Sequence, residues 1–197
     1  RSRPLTAMPP LDAPRGEIEA DMILDRLFRP KPGQTEGAAL YAACVEQART
    51  PDLYARLAAP DTVEGRFEIY TLHVVLLLDR LLRQGPKAAE VSQGLFDTYV
   101  RSLDDALREM GVGDLSVGKK MRKLGEAFYG RVKNYEAAFA KLPDDTELKA
   151  LLARTVYAGV EAPPTAELSA YVGAQRAALA DQDLAAILAG RVAWSAA

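Results

Sequence analysis

The sequence predicts an all-α protein: a single-domain bundle of about seven to eight helices, with long helices at about 61–83, 87–110 and 115–141. Three observations carry this. Apolar residues recur at spacings of three and four along nearly every segment, as one buried helical face requires. No stretch alternates apolar and polar residues between hairpin turns, as a half-buried strand would. Ala, Leu, Glu, Lys and Arg, the strong helix formers, are abundant.

Each element has its own start and stop signals. The opening "RSRPLTAMPPLDAPRGE" has no apolar core segment and reads as a flexible tail over 1–17, not a secretory signal. A short helix over 17–28 stops before Arg29-Pro30-Lys31-Pro32-Gly33. A second begins near Thr35 and runs through "GAALYAACVEQAR", and Pro51 opens a third, "PDLYARLA", which Pro60 closes. Asp61 and Glu64 have the spacing of a capping box, with Asp61 as N-cap of the long helix to about 83. Gln84-Gly85-Pro86 ends that helix, and the next runs to Met110. Gly111 is expected as its left-handed C′ residue. Gly113 gives the turn room, and Asp114 caps the following helix. Pro143 breaks the chain, and Asp144, Asp145 and Thr146 offer caps for a helix through Tyr157. "GVEAPP" is a linker, and Thr165 caps an amphipathic helix to about 180. The helical domain is therefore expected over 18–182, with a short C-terminal helix or tail over 183–197.

Composition and charge exclude several functions. Over 197 residues, a net charge of −2 argues against a general nucleic-acid binder, so any basic function is local. One cysteine and one histidine leave no disulfide framework and no zinc constellation, and suit a reducing compartment. The most apolar run, "IYTLHVVLLL" over 69–78, lies between Glu68 and Asp79. It is half the length of a membrane span, so it reads as a buried helix.

Motifs that imitate catalytic ones fail on their neighbours. "GVGDLSVGKK" reads G-x-x-x-x-G-K-K from Gly113, one residue short of a P-loop. Lys120 stands where a Ser or Thr would hold Mg²⁺, and a helical pattern precedes the loop where a buried strand should deliver it. Asp21 and Asp25 have the D-x-x-x-D spacing of a Mg²⁺-diphosphate enzyme. Their only possible counterpart, Asp104-Asp105, lacks that spacing, which makes a Mg-dependent isoprenoid-type enzyme the weakest reading. Cys44 and His73 sit on apolar faces with no orienting group, and read as a packed thiol and a core imidazole. A haem-ligand role for His73 is the minor alternative. No catalytic residue, metal or cofactor is expected.

The helix over 115–141 is the most informative. Val117, Met121, Leu124, Phe128, Val132, Tyr135 and Phe139 form an apolar stripe. Lys119, Lys120, Arg122, Lys123, Arg131 and Lys133 occupy its other faces, either as a solvated surface or as a local basic site. Gly125 and Gly130 in mid-helix, like Gly65 one turn into the helix over 61–83, each cost about 1 kcal/mol relative to Ala. Such a cost suggests a close neighbour, from this chain or from a partner. Arg66 and Glu68 beside Phe67 suggest an ion pair to another helix, with Arg108 or Glu109 as partners.

Two blocks, "DTVEGRFEIYTLHVVLLLDRL" and "DDALREMGVGDLSVGKKMRKLGEAFYGRVKNYEAA", resemble the ubiquinol–cytochrome c reductase chaperone family. The likeness covers about residues 40–140 and continues more weakly to about 171. It implies an all-helical, non-catalytic chaperone that binds newly made cytochrome b early in assembly of the cytochrome bc1 complex. Mitochondrial members pair with a small helical partner and dock near the ribosomal tunnel exit; the Ala- and Leu-rich composition points to a bacterial member. The partner-binding set it implies, joined with the neighbouring cations and aromatics, is Arg66, Phe67, Glu68, His73, Arg108, Glu109, Gly113, Asp114, Lys119, Lys120, Lys123, Phe128, Tyr129 and Arg131. Asp61, Glu64, Gly65, Gly111, Gly118 and Gly130 are expected to shape turns and caps. The expected location is cytoplasmic or peripheral on the inner face of a membrane, or the matrix side in a eukaryote. The alternative is an adaptor that docks on anionic membrane or ribosome.

Overall fold

The computed structural model describes residues 31–196. The helix expected over 17–28, with Asp21 and Asp25, and the tail over 1–17 lie outside the described residues. The described chain is all-α, with eight helices and no strand among its residues. In order they are α1 (Gln34–Ala48), α2 (Pro51–Ala55), α3 (Val63–Leu81), α4 (Pro86–Glu109), α5 (Asp114–Phe139), α6 (Thr146–Arg154), α7 (Thr165–Asp181) and α8 (Leu184–Leu188).

The apolar run over 69–78 decides the architecture. Ile69, Leu72, Val74, Val75, Leu76 and Leu77 are all buried, so α3 needs cover on every side. It gets it from α1, α4, α5 and α7, which all pack against it. No described helix is long and apolar enough to cross a membrane. Against α4 lies α1, and the two meet backbone to backbone. A Cβ on Gly37 would stand 2.2 Å from the Leu95 nitrogen, and one on Gly94 would stand 2.2 Å from the Gly33 carbonyl oxygen. Any side chain at either position would push the helices apart.

Helix ends follow local chemistry, with small departures from expectation. The N-cap of α3 is Thr62, not Asp61: its hydroxyl accepts from the Gly65 N–H at 3.0 Å. Asp61 instead accepts from Arg66 at 2.5 Å, and Glu64 is an exposed first-turn residue. Pro86 opens α4 at its first turn, where its missing N–H is no loss. The C-terminus of α4 closes as a Schellman motif. Gly111 sits at φ +78° with its N–H on the Arg108 carbonyl, and the Val112 N–H reaches the Leu107 carbonyl at 3.1 Å. The cap of α5 is Gly113 rather than Asp114, which is the first helical residue, and Thr165 is likewise one residue inside α7. Asp144 accepts from both the N–H and the hydroxyl of Thr146, turning the chain into α6.

Residues 183–196 pack back onto the helical body. The Trp194 indole N–H donates to the Ala43 carbonyl at 3.1 Å, and its ring meets His73 edge-on at 5.1 Å. Gln175 clasps the backbone of Ser195 from both sides, accepting from its N–H and donating to its carbonyl. Gln182 does the same to Ala193.

Candidate functional site

The residues of the first block sort into three environments. Arg66 is exposed, paired with Asp61, and lies 5.9 Å from the Tyr54 ring. Gly65 is needed inside the chain itself, because a Cβ there would stand 2.0 Å from the Pro60 carbonyl oxygen. Glu68 is only 8% exposed, and both its oxygens accept from Arg131 of α5. The ion pair expected near this helix end therefore exists, but its partner is Arg131, not Arg108 or Glu109. Arg108 pairs with Asp104 one turn back at 2.7 Å, and Glu109 is exposed. The Arg131 guanidinium also lies 5.5 Å from the half-buried Phe67 ring. A charge-assisted, two-pronged contact of this kind fixes the angle between α3 and α5. It also takes Arg131 out of any free basic face.

His73 is fully buried. Its Nδ1 donates to the Ile69 carbonyl at 2.8 Å and its Nε2 accepts from the Tyr171 hydroxyl at 2.7 Å, which fixes a neutral tautomer. Burial pulls its pKa down from 6.5 to about 4. It is a core residue and reaches no surface, so the partner-binding role expected of it has no access. Cys44 is also fully buried, and burial pushes its thiol pKa up, leaving it inert at neutral pH. No group of His, Cys, Asp or Glu among the described residues could hold a metal ion.

In the second block, the apolar stripe of α5 is buried at Val117, Phe128, Tyr135 and Phe139, while Met121, Leu124 and Val132 are only partly covered. Phe128 is buried between Phe96 and Tyr99, with ring centroids 5.2 and 5.0 Å away. Tyr129 beside it is 61% exposed. Lys119, Lys120, Arg122 and Lys123 are exposed and make no ion pair among the described residues. Among the described residues, nothing stands where a Cβ on Gly118, Gly125 or Gly130 would be. The neighbouring backbone expected against the two mid-helix glycines is thus not supplied by the described residues.

These elements bound a groove of about 700 Å³. Its walls are the end of α3, the first half of α4 and the second half of α5. Leu82, Phe96, Phe128, Tyr129, Val132 and Phe139 give it an apolar lining, and Asp79, Arg83 and Glu136 put charge on its rim. Gly118 and Gly125 lie two and one heptads ahead of Val132 on nearly the same side of α5, so the open strip continues along the helix from the groove. Of the residues expected at the site, only Phe128 and Tyr129 line the groove. Leu82, Phe96 and Val132 escaped sequence reasoning, since an apolar residue at helical spacing gives no sign of which neighbour is missing.

The class of protein this defines is an all-α helical protein with an open apolar groove bordered by charge and an ionic link beside it. The chain belongs to the ubiquinol–cytochrome c chaperone family, whose model matches residues 55–194. That range includes the second half of α7 and most of the C-terminal strap over 183–196, beyond residue 171 where the family likeness ceased to be legible. Ubiquinol-cytochrome-c reductase complex assembly factor 1 of Xenopus laevis is 24% identical over 117 residues, covering 59% of this chain and 58% of that protein. The Mus musculus protein of that name is 29% identical over 118 residues, covering 60% of this chain and 39% of its own. The chain therefore spans less than two thirds of these relatives' lengths. The crystal structure of the Cbp3 homolog from Brucella abortus superimposes with a TM-score of 0.76 at 31% identity, over 91% of this chain and 97% of that one.

Proposed function

We propose that this protein is an assembly chaperone of the cytochrome bc1 complex that holds newly made cytochrome b, without catalysis, through the groove between α3, α4 and α5. The groove itself carries the reading. A transmembrane helix outside its bilayer exposes an apolar face, and a helix in an apolar groove is a common way to cover one. The groove offers a set of apolar side chains fixed on three helices, with Tyr129 and Leu82 left 61% and 45% exposed. Family membership and the relatives' names, which speak of complex assembly, point the same way.

The test is capture of cytochrome b by the tagged protein from its own cells. The Leu82→Ser/Tyr129→Ser double variant should recover roughly tenfold less, as the loss of two apolar contacts implies. Equal recovery by the variant would overturn the groove as the site. A second reading, an adaptor on anionic membrane or on the ribosome, is favoured by the exposed Lys119, Lys120, Arg122 and Lys123. Binding to anionic vesicles or ribosomes that is lost at about 0.5 M salt would support it.

A further inference from the structure

A second cleft, away from the groove, lies where the end of α1 and α2 meet the start of α3. It has a volume of about 590 Å³ and is lined by Arg49, Pro51, Tyr54, Asp61, Arg66 and Tyr70. Two guanidiniums face it, and each is held in place by one nitrogen only. The Arg49 Nε donates to the Tyr70 hydroxyl at 3.0 Å, and the Arg66 Nε donates to Asp61. The terminal N–H groups of both arginines make no hydrogen bond among the described residues. The Tyr70 hydroxyl accepts from Arg49, which leaves its own hydrogen to give. The Tyr54 hydroxyl is spent on the Ala48 carbonyl at 2.7 Å, so its ring stands as an apolar wall.

We propose that this cleft is a binding site for a carboxylate side chain on an acidic segment of a partner protein, with the neighbouring apolar residue resting on Tyr54 and Pro51. Charge decides the ligand. Arg49 and Arg66 against Asp61 leave one net positive charge in the lining, which matches one carboxylate and falls short of a phosphate dianion. Guanidinium forks anchored at Nε present paired donors in the plane that a carboxylate accepts. Asp61 already shows the chemistry: Arg66 holds its carboxyl below the usual range. The assignment does not depend on the groove or on the identity of its client.

The probe is the acetylated, amidated dipeptide Phe-Glu, with Phe-Gln as its neutral twin, titrated into the full chain. Arginine Nε–H signals are followed by NMR. Phe-Glu should shift the Arg49 and Arg66 signals with a Kd of about 1–10 mM, as a few contacts provide, and Phe-Gln should not. Arg49→Gln and Arg66→Gln should each weaken binding roughly tenfold. Asp61→Asn removes the competing carboxylate and should tighten binding about fivefold, an effect that no loss of folding can imitate. Equal shifts from Phe-Gln, unchanged binding in Asp61→Asn, or saturation by inorganic phosphate where Phe-Glu gives nothing would each overturn the proposal.

Discussion

Lowering the pH toward 5 should destabilise this protein through a single imidazole. His73 is the one histidine in the chain. Its packed neighbours are the Ile69 carbonyl, the Tyr171 hydroxyl and the Trp194 ring, none of them charged. Burial holds its pKa at about 4 in the fold against 6.5 in the open chain. Below 6.5 the unfolded chain takes up a proton that the folded one refuses, so the stability is fully present above that pH and is lost as the pH falls toward 4. At about 1.4 kcal/mol per unit, the loss is about 2 kcal/mol by pH 5 and about 3 kcal/mol by pH 4. The assay is urea unfolding at pH 7 and pH 5 of the natural chain and of His73→Gln, whose amide can serve both hydrogen bonds without titrating. Trp194, the only tryptophan, supplies a fluorescence signal from the same spot. Carboxylates titrate alike in both chains, so the natural chain should lose about 2 kcal/mol more than the variant between the two pH values. Equal losses would refute the buried neutral imidazole.

Two further outcomes rest on α5. Arg131→Ala strands the Glu68 carboxylate, itself 8% exposed, and should cost about 3 kcal/mol in urea unfolding, with Glu68→Gln/Arg131→Met recovering most of it. A loss under 1 kcal/mol would mean that water reaches Glu68 freely. Gly125→Ala fills open space and removes a helix penalty, so it should raise stability by about 0.5–1 kcal/mol. Gly65→Ala should lower it by more than that, because its Cβ meets the Pro60 carbonyl. A reversed order of the two would refute the assignment of open and closed sides.

What the sequence made legible was local. The 3.6-residue period set α3, α4 and α5 to within a few residues, and "REMGVGD" contained its own Schellman turn. Asp61 and Thr62 are both good caps standing side by side, and only backbone geometry chose Thr62. Glu68 and Arg131 are 63 residues apart, and nothing in either neighbourhood names the other. Glycine misled for the same reason. Gly125 and Gly130 carry the same cost as Gly37 and Gly94, yet among the described residues only the latter pair has a helix pressed against it. The groove was illegible because it consists of cover that no described element provides. The cleft at Arg49 and Tyr70 was illegible because Arg49, Pro51 and Tyr54 lie outside the block that holds Asp61, Arg66 and Tyr70, and only the fold brings the two groups together.

The strap at 191–196 has a consequence in time. The Trp194 indole reaches back 151 residues to Ala43, and it stands against His73 in the central helix that forms one wall of the groove. During synthesis the helices of residues 34–181 emerge first, but the face of α3 behind that wall stays open until the last of these contacts leaves the ribosome. Elongation therefore orders the events. The groove residues, all within 75–139, are made long before the support that holds α3 from behind. A chain cut anywhere ahead of Trp194 carries every groove side chain and lacks the ring that closes the core beneath them.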